Sequence, residues 1–343
     1  PFAISSVPTG FLSLSENNIT VDDQNLESPD FVWIKGRSVN GENHVLIDSV
    51  RGVDKTLFSS YTTGGEDTNS NRIVSLNKNG FTIGSQGDIN TSGRDYVAWT
   101  WKAGTSFSND ASATSIGTVD SNGSVNTTSG FSIVSYTGNG TAGTTVGHGL
   151  GVVPETIIIK GRDDAFDWRY WHTDFGTGRG LSLNSTAARS GNSEIMNAVP
   201  TSLVMNLQGQ GYSVNNSAIG YVAYCFHSVE GFSKFGSYTG NGSTSDGTFV
   251  YLGFRPAFVM VKATSTANDW FMYDTKRNTY NVVDNILVAN GSNSESGVAL
   301  AARNMDILSN GFKCRGNDGG NLSGQTHIYM AFAENPFKYS NAR

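Results

Sequence analysis

One short pattern occurs three times in this chain and constrains its fold more than any other feature. Each copy has a proline, two further residues and an apolar run that ends in lysine: Pro29–Lys35, Pro154–Lys160 and Pro256–Lys262. An aspartate follows each lysine after 13, 14 or 12 residues. Such spacing is typical of internal repeats. We therefore predict six structural repeat positions: Lys35, Asp48, Lys160, Asp174, Lys262 and Asp274.

Each copy ends in a second shared segment that reads as a β-strand. The three segments are Tyr96–Trp101, Tyr221–Phe226 and Tyr329–Glu334, and their tyrosines lie 61, 61 and 67 residues after the lysines. Because side chains alternate along a strand, Val97, Trp99 and Trp101 share one face, which we predict to be core. The chain thus contains three copies of one module.

The second and third copies also share an opening, Phe131–Gly140 and Phe232–Gly242, and both openings end in Tyr-Thr-Gly-Asn-Gly. The Asn-Gly pair favours a tight turn. The first copy lacks this opening, and an apolar segment and a polar connector precede it. Copy one is therefore predicted to be a less complete module.

The remaining segments are mostly short and rich in glycine, asparagine, serine and threonine. Helical signals are weak, with one short helix possible in each of Asn192–Ala198 and Glu295–Met305. We predict an all-β protein of tandem antiparallel β-sandwich modules in three related repeats. The predicted division is a connector at 1–28, a module at 29–104, a linker or exposed loop at 105–130, and modules at 131–231 and 232–343.

Composition excludes several classes of function. The net charge is −6, from 23 basic and 29 acidic residues, and no basic stripe is present to neutralise nucleic-acid phosphates. No apolar run approaches the roughly 20 residues that a membrane-spanning helix needs. The two cysteines, Cys225 and Cys314, are 89 residues apart in strand-like segments and are predicted to be buried thiols.

These repeats resemble a family of modules in virion proteins of tailed bacteriophages, especially marine ones. The similarity rests on the Tyr-Thr-Gly-Asn-Gly opening, the strand that begins at each proline, and the ending Ala331–Tyr339. In that family the modules often follow a SPRY-like, concanavalin-type domain. Residues 1–14 resemble the closing segment of that domain. The resemblance implies a C-terminal part of a longer virion protein, made in the bacterial cytoplasm. It also implies other virion proteins as partners and a homo-oligomer, with a trimer as our expectation.

The stretch Asp163–Asp174 combines carboxylates, a histidine and large aromatics. Paired carboxylates can catalyse glycoside hydrolysis, but recurrence of the aspartates in other copies favours a structural role. No nucleophile elbow and no paired metal ligands occur, so we predict no catalytic residue, metal or cofactor. Aromatic rings can stack on sugars, although alternate residues here could equally be core. The candidate ligand-binding residues are Trp168, Arg169, Tyr170, Trp171, His172, Trp270 and Tyr273.

The predicted function is a virion structural protein, as a tail fibre or spike component that contacts a glycan or receptor on the host surface. A capsid decoration or head-fibre protein is the first alternative, and a polysaccharide depolymerase is the second. We expect neither nucleic-acid nor membrane partners.

Overall fold

Antiparallel β-strands make up this protein. The computed structural model describes residues 9–14, 20–22, 28–60, 65–78, 80–189, 195–295 and 301–334. The named strands of each sheet pair antiparallel with their neighbours, so the predicted all-β class is confirmed. Within the described ranges, no helix is both long and apolar enough to cross a membrane.

The N-terminal part forms a six-stranded and a three-stranded sheet, the N-terminal sheet pair. The spatial orders are β1-β9-β3-β4-β5-β6 and β2-β8-β7. The strands are β1 (Thr9–Leu14), β2 (Thr20–Asp22), β3 (Phe31–Gly36), β4 (Val45–Asp48), β5 (Lys55–Phe58), β6 (Asp67–Thr68), β7 (Ile73–Asn77), β8 (Gly80–Ile83) and β9 (Arg94–Trp101).

The middle part forms a seven-stranded and a three-stranded sheet, the middle sheet pair. The orders are β10-β11-β12-β19-β14-β15-β16 and β13-β18-β17. The elements are β10 (Thr105–Asn109), α1 (Ala111–Thr114), β11 (Ser121–Asn126), β12 (Phe131–Thr137), β13 (Thr144–Gly147), β14 (Thr156–Gly161), β15 (Arg169–His172), a 3-10 helix (Thr173–Phe175), β16 (Leu181–Ser182), β17 (Met196–Ala198), β18 (Val204–Leu207) and β19 (Gly220–Phe226).

The C-terminal part forms a five-stranded and a three-stranded sheet, the C-terminal sheet pair. The orders are β20-β27-β22-β23-β24 and β21-β26-β25. The elements are β20 (Ser233–Thr239), β21 (Phe249–Tyr251), β22 (Pro256–Ala263), β23 (Phe271–Asp274), β24 (Leu287–Val288), 3-10 helices at Ala301–Arg303 and Gly319–Asn321, β25 (Met305–Leu308), β26 (Gly311–Cys314) and β27 (Thr326–Ala333).

The three large sheets contribute to one apolar cluster, the central core. Many of its members come from the strands that begin near each repeated proline and from the strands that end each copy. They include Phe31, Trp33, Val97, Trp99, Trp101, Ile158, Val222, Tyr224, Phe226, Phe258, Met260, Ile328, Met330 and Phe332. The prediction that Val97, Trp99 and Trp101 share a core face is therefore confirmed.

The opposite face of each large sheet is also apolar, since it contributes to a cluster shared with the three-stranded sheet of its own pair. In β3, for example, Phe31 and Trp33 lie in the central core, whereas Val32 and Ile34 lie in the N-terminal cluster. Burial on both faces explains why β3, β14 and β22 read as continuous apolar runs and not as alternating strands.

Two sequence predictions about connections are wrong. Residues 105–130 were expected to be a linker or exposed loop, but β10 and β11 extend the middle sheet there beside β12. The connector expected at 1–28 contains β1, which pairs with β9 as β12 pairs with β19 and β20 with β27. Strands near a sheet edge can be as rich in serine, threonine and asparagine as loops are, because only their backbone groups must be hydrogen-bonded. Composition therefore did not distinguish these strands from loops.

The two short helices expected from the sequence are also largely absent from the described residues. Met196–Ala198 is strand β17, paired with β18. The second segment has a single 3-10 turn at Ala301–Arg303, and β25 begins at Met305. Residues 190–194 and 296–300 lie outside the described ranges. Both cysteines are free and buried, as predicted.

Candidate functional site

The repeated lysines occupy one position in the three large sheets. Lys35, Lys160 and Lys262 lie opposite Val97, Val222 and Ile328 respectively. All three side chains are buried, and burial lowers the pKa of each to about 8. Each Nζ donates to backbone carbonyls: Gly36 at 2.6 Å, Phe166 at 2.6 Å, and Asn268 at 2.6 Å with Thr186 at 2.9 Å. The lysines thus donate to backbone carbonyls inside the fold, and Lys262 joins the C-terminal to the middle sheet pair through Thr186.

The residues predicted to contact a ligand lie almost entirely inside the protein, so that prediction is wrong for six of the seven. Exposure is 0–1% for Trp168, Tyr170, Trp171, His172, Trp270 and Tyr273. Arg169 is half-buried, and its guanidinium donates to the carbonyl of Tyr212 and to Ser182 Oγ, both at 3.2 Å. The aromatic-rich sequence reflects strands buried on both faces.

Two of these tryptophans join neighbouring sheet pairs. Trp168 Nε1 donates to the carbonyl of Phe58 at 2.8 Å, and Trp270 Nε1 donates to the carbonyl of Ser182 at 3.0 Å. Trp168 immediately precedes β15, and Trp270 immediately precedes β23. The first contact joins the middle to the N-terminal sheet pair, and the second joins the C-terminal to the middle sheet pair.

His44 makes the third contact of this kind. Its Nδ1 accepts from Trp33 Nε1 at 2.8 Å, so Nε2 carries the proton and donates to the carbonyl of Val288 at 2.9 Å. Burial lowers the pKa of His44 well below its usual value, in agreement with a neutral ring. The three acceptors stand at matching places, since Phe58, Ser182 and Val288 pair with Val45, Arg169 and Phe271.

Two buried aspartate–arginine pairs lie beside these contacts. Asp48 Oδ2 accepts from Arg51 Nε at 2.5 Å and from Tyr224 of the middle sheet pair at 2.7 Å. Asp274 Oδ2 accepts from Arg277 Nε at 2.5 Å and from Trp99 Nε1 of the N-terminal sheet pair at 3.3 Å. In both pairs the side chains are fully buried. Their hydrogen bonds offset the cost of removing charge from water.

A glutamate continues each network into the next sheet pair. Glu66 binds Arg51 at 3.0 Å and Arg162 at 2.9 Å. In the same way Glu295 joins Arg277 at 3.1 Å to Arg37 at 2.7 Å. The sequence analysis missed these residues, although two repeated signals mark them: Asp-x-x-Arg at 48–51 and 274–277, and Lys-Gly-Arg at 35–37 and 160–162.

The junction between the middle and C-terminal sheet pairs has different chemistry. His172 lies opposite Thr156, the register position that Asp48 and Asp274 hold opposite Phe31 and Phe258. Burial lowers the pKa of His172, and its Nε2 has no hydrogen-bond partner among the described residues. Three residues later Phe175 replaces the arginine, and the guanidinium of Arg189 lies 5.3 Å from its ring centroid.

The repeat assignment of Asp174 is therefore wrong. The sequence spacing placed Asp174 with Asp48 and Asp274, but strand register gives that position to His172, two residues earlier. The side chain of Asp174 is 45% exposed and lies 3.7 Å from His172 Nδ1. Tyr329 is displaced from its predicted repeat position in the same way. Strand pairing places Tyr96 and Tyr221 opposite the residue that follows the lysine of their copy. In the third copy, His327 and not Tyr329 holds that position, opposite Ala263.

The Asn-Gly openings have an internal structural role. The backbone N–H of Asn139 donates to Oδ1 of Asn215 at 2.9 Å, and that of Asn241 donates to Oδ1 of Asn321 at 3.0 Å. Asn215 and Asn321 are fully buried, and each returns a side-chain N–H to the opening asparagine. The segment Gly138–Gly143 connects the first opening to strand β13, which begins at Thr144.

A surface groove is lined by aromatic and charged side chains. It has a volume of about 520 Å³ and lies where the middle and C-terminal sheet pairs join. Tyr251 is 60% exposed there, beside Lys234, Glu155 and Glu230. A separate, more apolar cavity of about 350 Å³ lies between β10 and the loops around Gly149 and Leu203. Within the described ranges, no group of three histidine, cysteine or carboxylate side chains is placed to hold a metal ion.

The fold and these contacts define an all-β protein built from antiparallel sheets that share a central core. The chain belongs to the family described as a domain of unknown function, DUF7483, whose model matches residues 15–336. That match runs through all three sheet pairs. Comparisons with curated proteins and with solved structures give no match.

Proposed function

We propose that this protein is a structural component of a tailed-bacteriophage virion, in a tail fibre or spike that contacts the host surface. The sequence resemblance to phage modules supports the assignment. The main structural support is the cyclic set of contacts between sheet pairs. These contacts join the three sheet pairs into one scaffold, which suits a load-bearing particle.

The proposed scaffold is three copies of one β-sandwich module around an approximate threefold axis. Its support is the cycle made by His44, Trp168 and Trp270, in which each side chain reaches a carbonyl of another sheet pair. Backbone bonds repeat the cycle: Glu66 N–H to Arg162 O at 2.6 Å, Arg189 N–H to Thr264 O at 2.7 Å and Glu295 N–H to Arg37 O at 3.0 Å.

A structural role is favoured because the chemistry-bearing residues of the repeats are used inside the scaffold. The carboxylates of Asp48 and Asp274 each accept hydrogen bonds from an arginine and from a neighbouring sheet pair. The three lysines donate to carbonyls. The two aspartates, together with Lys262 through Thr186, stabilise the contacts between sheet pairs, and all five groups are buried.

Three modules in one chain also suit weak, repeated contacts with a surface. Linking binding elements raises their effective concentration, so modest individual affinities combine into avidity. Assembly of this chain into a homotrimer would multiply those contacts further, and trimerisation remains part of the proposal.

The decisive experiment locates the protein on intact virions by immunogold electron microscopy with a specific antibody. Label at the distal tail would support host attachment. Label on the head would replace it with the decoration or head-fibre alternative, and no label on purified virions would contradict the virion proposal. Release of reducing ends from host polysaccharide by the purified protein would favour the depolymerase instead.

A further inference from the structure

We propose that the groove between the middle and C-terminal sheet pairs binds a neutral, hydroxyl-rich carbohydrate. Glu155, Glu230, Lys234, Tyr251 and Phe254 line this groove. Its volume of about 520 Å³ lies within the usual range for small-ligand sites. No residue predicted from the sequence to bind a ligand lines it.

An exposed aromatic ring forms one wall. Tyr251 is 60% exposed and Phe249 is 44% exposed, whereas Val250 between them is buried. Alternation along β21 therefore places both rings on the outer face of its sheet. A large ring left in water offers a flat apolar surface with a polar edge, which matches the C–H face and the hydroxyl rim of a pyranose.

Lys234 fixes the position of that wall. Its Nζ donates to the backbone carbonyl of Tyr251 at 3.0 Å and lies 5.5 Å from the centroid of the Tyr251 ring. An ammonium group has three donors, so further hydrogen bonds to sugar oxygens are available. Because Lys234 and Tyr251 lie on strands β20 and β21, their spacing is set before any ligand arrives.

Carboxylates supply the acceptors that sugar hydroxyls need. Glu155 Oε2 accepts from the backbone N–H of Ser228 at 2.6 Å, which orients the carboxylate at the groove. A carboxylate can accept about four hydrogen bonds, so this contact leaves capacity for hydroxyls. With Glu155 and Glu230 against one lysine the lining is net acidic, which favours a neutral saccharide over a phosphate or sulfate ester.

This inference rests on the proposed function only for the source of the carbohydrate, namely the host surface. Binding to the groove is a property of the protein alone and can be tested with free sugars. Failure to bind any sugar would contradict the groove proposal but not the proposed virion location. Conversely, virions without label would contradict the virion proposal but not carbohydrate binding by the groove.

The test is isothermal titration of the full chain with four neutral oligosaccharides: maltohexaose, cellohexaose, hexa-N-acetylchitohexaose and mannohexaose. We expect at least one to bind, and Tyr251→Ala to weaken that binding about tenfold or more, the equivalent of about 1.4 kcal/mol. The matched control is Tyr280→Ala, because Tyr280 is 85% exposed and lies outside the groove. Circular dichroism melting would verify that both variants fold.

Three results would overturn the proposal. The first is that the unmodified protein binds none of the four oligosaccharides at concentrations up to about 10 mM. A specific site with a Kd in the millimolar range would be detected at that concentration. The second is unchanged binding by Tyr251→Ala, or an equal loss in Tyr280→Ala. The third is a change of oligomeric state in Tyr251→Ala by analytical ultracentrifugation, which would make the groove an interface between copies of this chain.

Discussion

The indole of Trp168 donates to the backbone carbonyl of Phe58 at 2.8 Å, across 110 residues of sequence. The two residues belong to different sheet pairs, and Trp168 is fully buried. A tryptophan has one donor and no acceptor, so this single bond satisfies its polar atom. Trp168, which the sequence predicted to contact a ligand, thus joins two sheet pairs.

Replacement of Trp168 by phenylalanine tests this connection. The variant keeps an aromatic ring but removes the N–H that donates to the Phe58 carbonyl, and a buried hydrogen bond contributes roughly 0.5–1.5 kcal/mol to stability. We expect a lower urea midpoint for W168F, and a similar loss for W270F at the matching contact with Ser182. Y280F, at an exposed ring, is the control. A midpoint for W168F equal to that of the control would contradict the role of this bond.

The buried aspartates should differ sharply from Asp174. Asp274→Ala removes the carboxylate that binds Nε of buried Arg277 and leaves only Glu295 as its acidic partner. The expected destabilisation is about 3–5 kcal/mol, and D48A should behave alike because Arg51 keeps only Glu66. Asp174 is 45% exposed, so D174A should change stability by less than about 0.5 kcal/mol. Denaturant unfolding of the three variants measures this.

The three variants serve as controls for one another, because all remove a carboxylate from the positions that the sequence spacing grouped together. If D174A proved as destabilising as D274A, the register that places His172 in the repeat position would be wrong. If D274A proved as mild as the value expected for D174A, the Asp274–Arg277 pair would not stabilise the fold.

The sequence predicted the strand type and the inner face of the sheets because these depend on local alternation. Val97, Trp99 and Trp101 lie two residues apart, and any strand places them together. The same alternation could not reveal that Val32 and Ile34, on the opposite face, are also buried. That requires a second layer, the three-stranded sheet, whose strands are far away in sequence.

The candidate site was less predictable, since residue type alone does not distinguish a surface aromatic from a connector. Trp168 and Tyr251 are both aromatic residues near a strand end, yet one is buried and the other is 60% exposed. Spacing also misled the assignment of Asp174, because the connection after each lysine varies in length while strand register does not. Tertiary contacts decide both questions.

Stability should depend on alkaline pH through the buried lysines. Burial lowers the pKa of Lys262 from 10.5 to about 8, so between pH 8 and 10.5 the unfolded chain binds a proton that the folded chain has lost. The free energy of unfolding therefore gains a term that rises with pH in this window, by up to about 1.4 kcal/mol per pH unit.

The matched variant is Lys262→Met, which keeps an unbranched apolar chain and cannot titrate. Loss of the bonds to Thr186 and Asn268 should make the variant less stable at pH 7. The titration of Lys262 is tested by how the difference in free energy of unfolding between the unmodified protein and the variant changes with pH. Urea unfolding from pH 7.5 to 10 should show the unmodified protein gaining on the variant above pH 8. Parallel curves over that range would mean that Lys262 keeps an ordinary pKa.

His172 should produce a dependence of the same sign at acidic pH, with stability rising as pH rises. Burial lowers its pKa from 6.5 even though Asp174 and Glu155 oppose the shift. As pH falls below about 6.5, the unfolded chain gains a proton that the folded chain does not, so stability declines until the folded pKa is passed. His172→Phe removes this term. Its melting temperature relative to that of the unmodified protein should rise from pH 7.5 to pH 5.

His227→Gln is the control, because His227 is partly exposed and bonds only the carbonyl of Val153 among the contacts described for its ring. The same acid-dependent gain in H227Q would show that the effect does not arise at the junction between the middle and C-terminal sheet pairs. A gain in H172F but not in H227Q would show that acid weakens this junction, where a histidine replaces the aspartate of the other two.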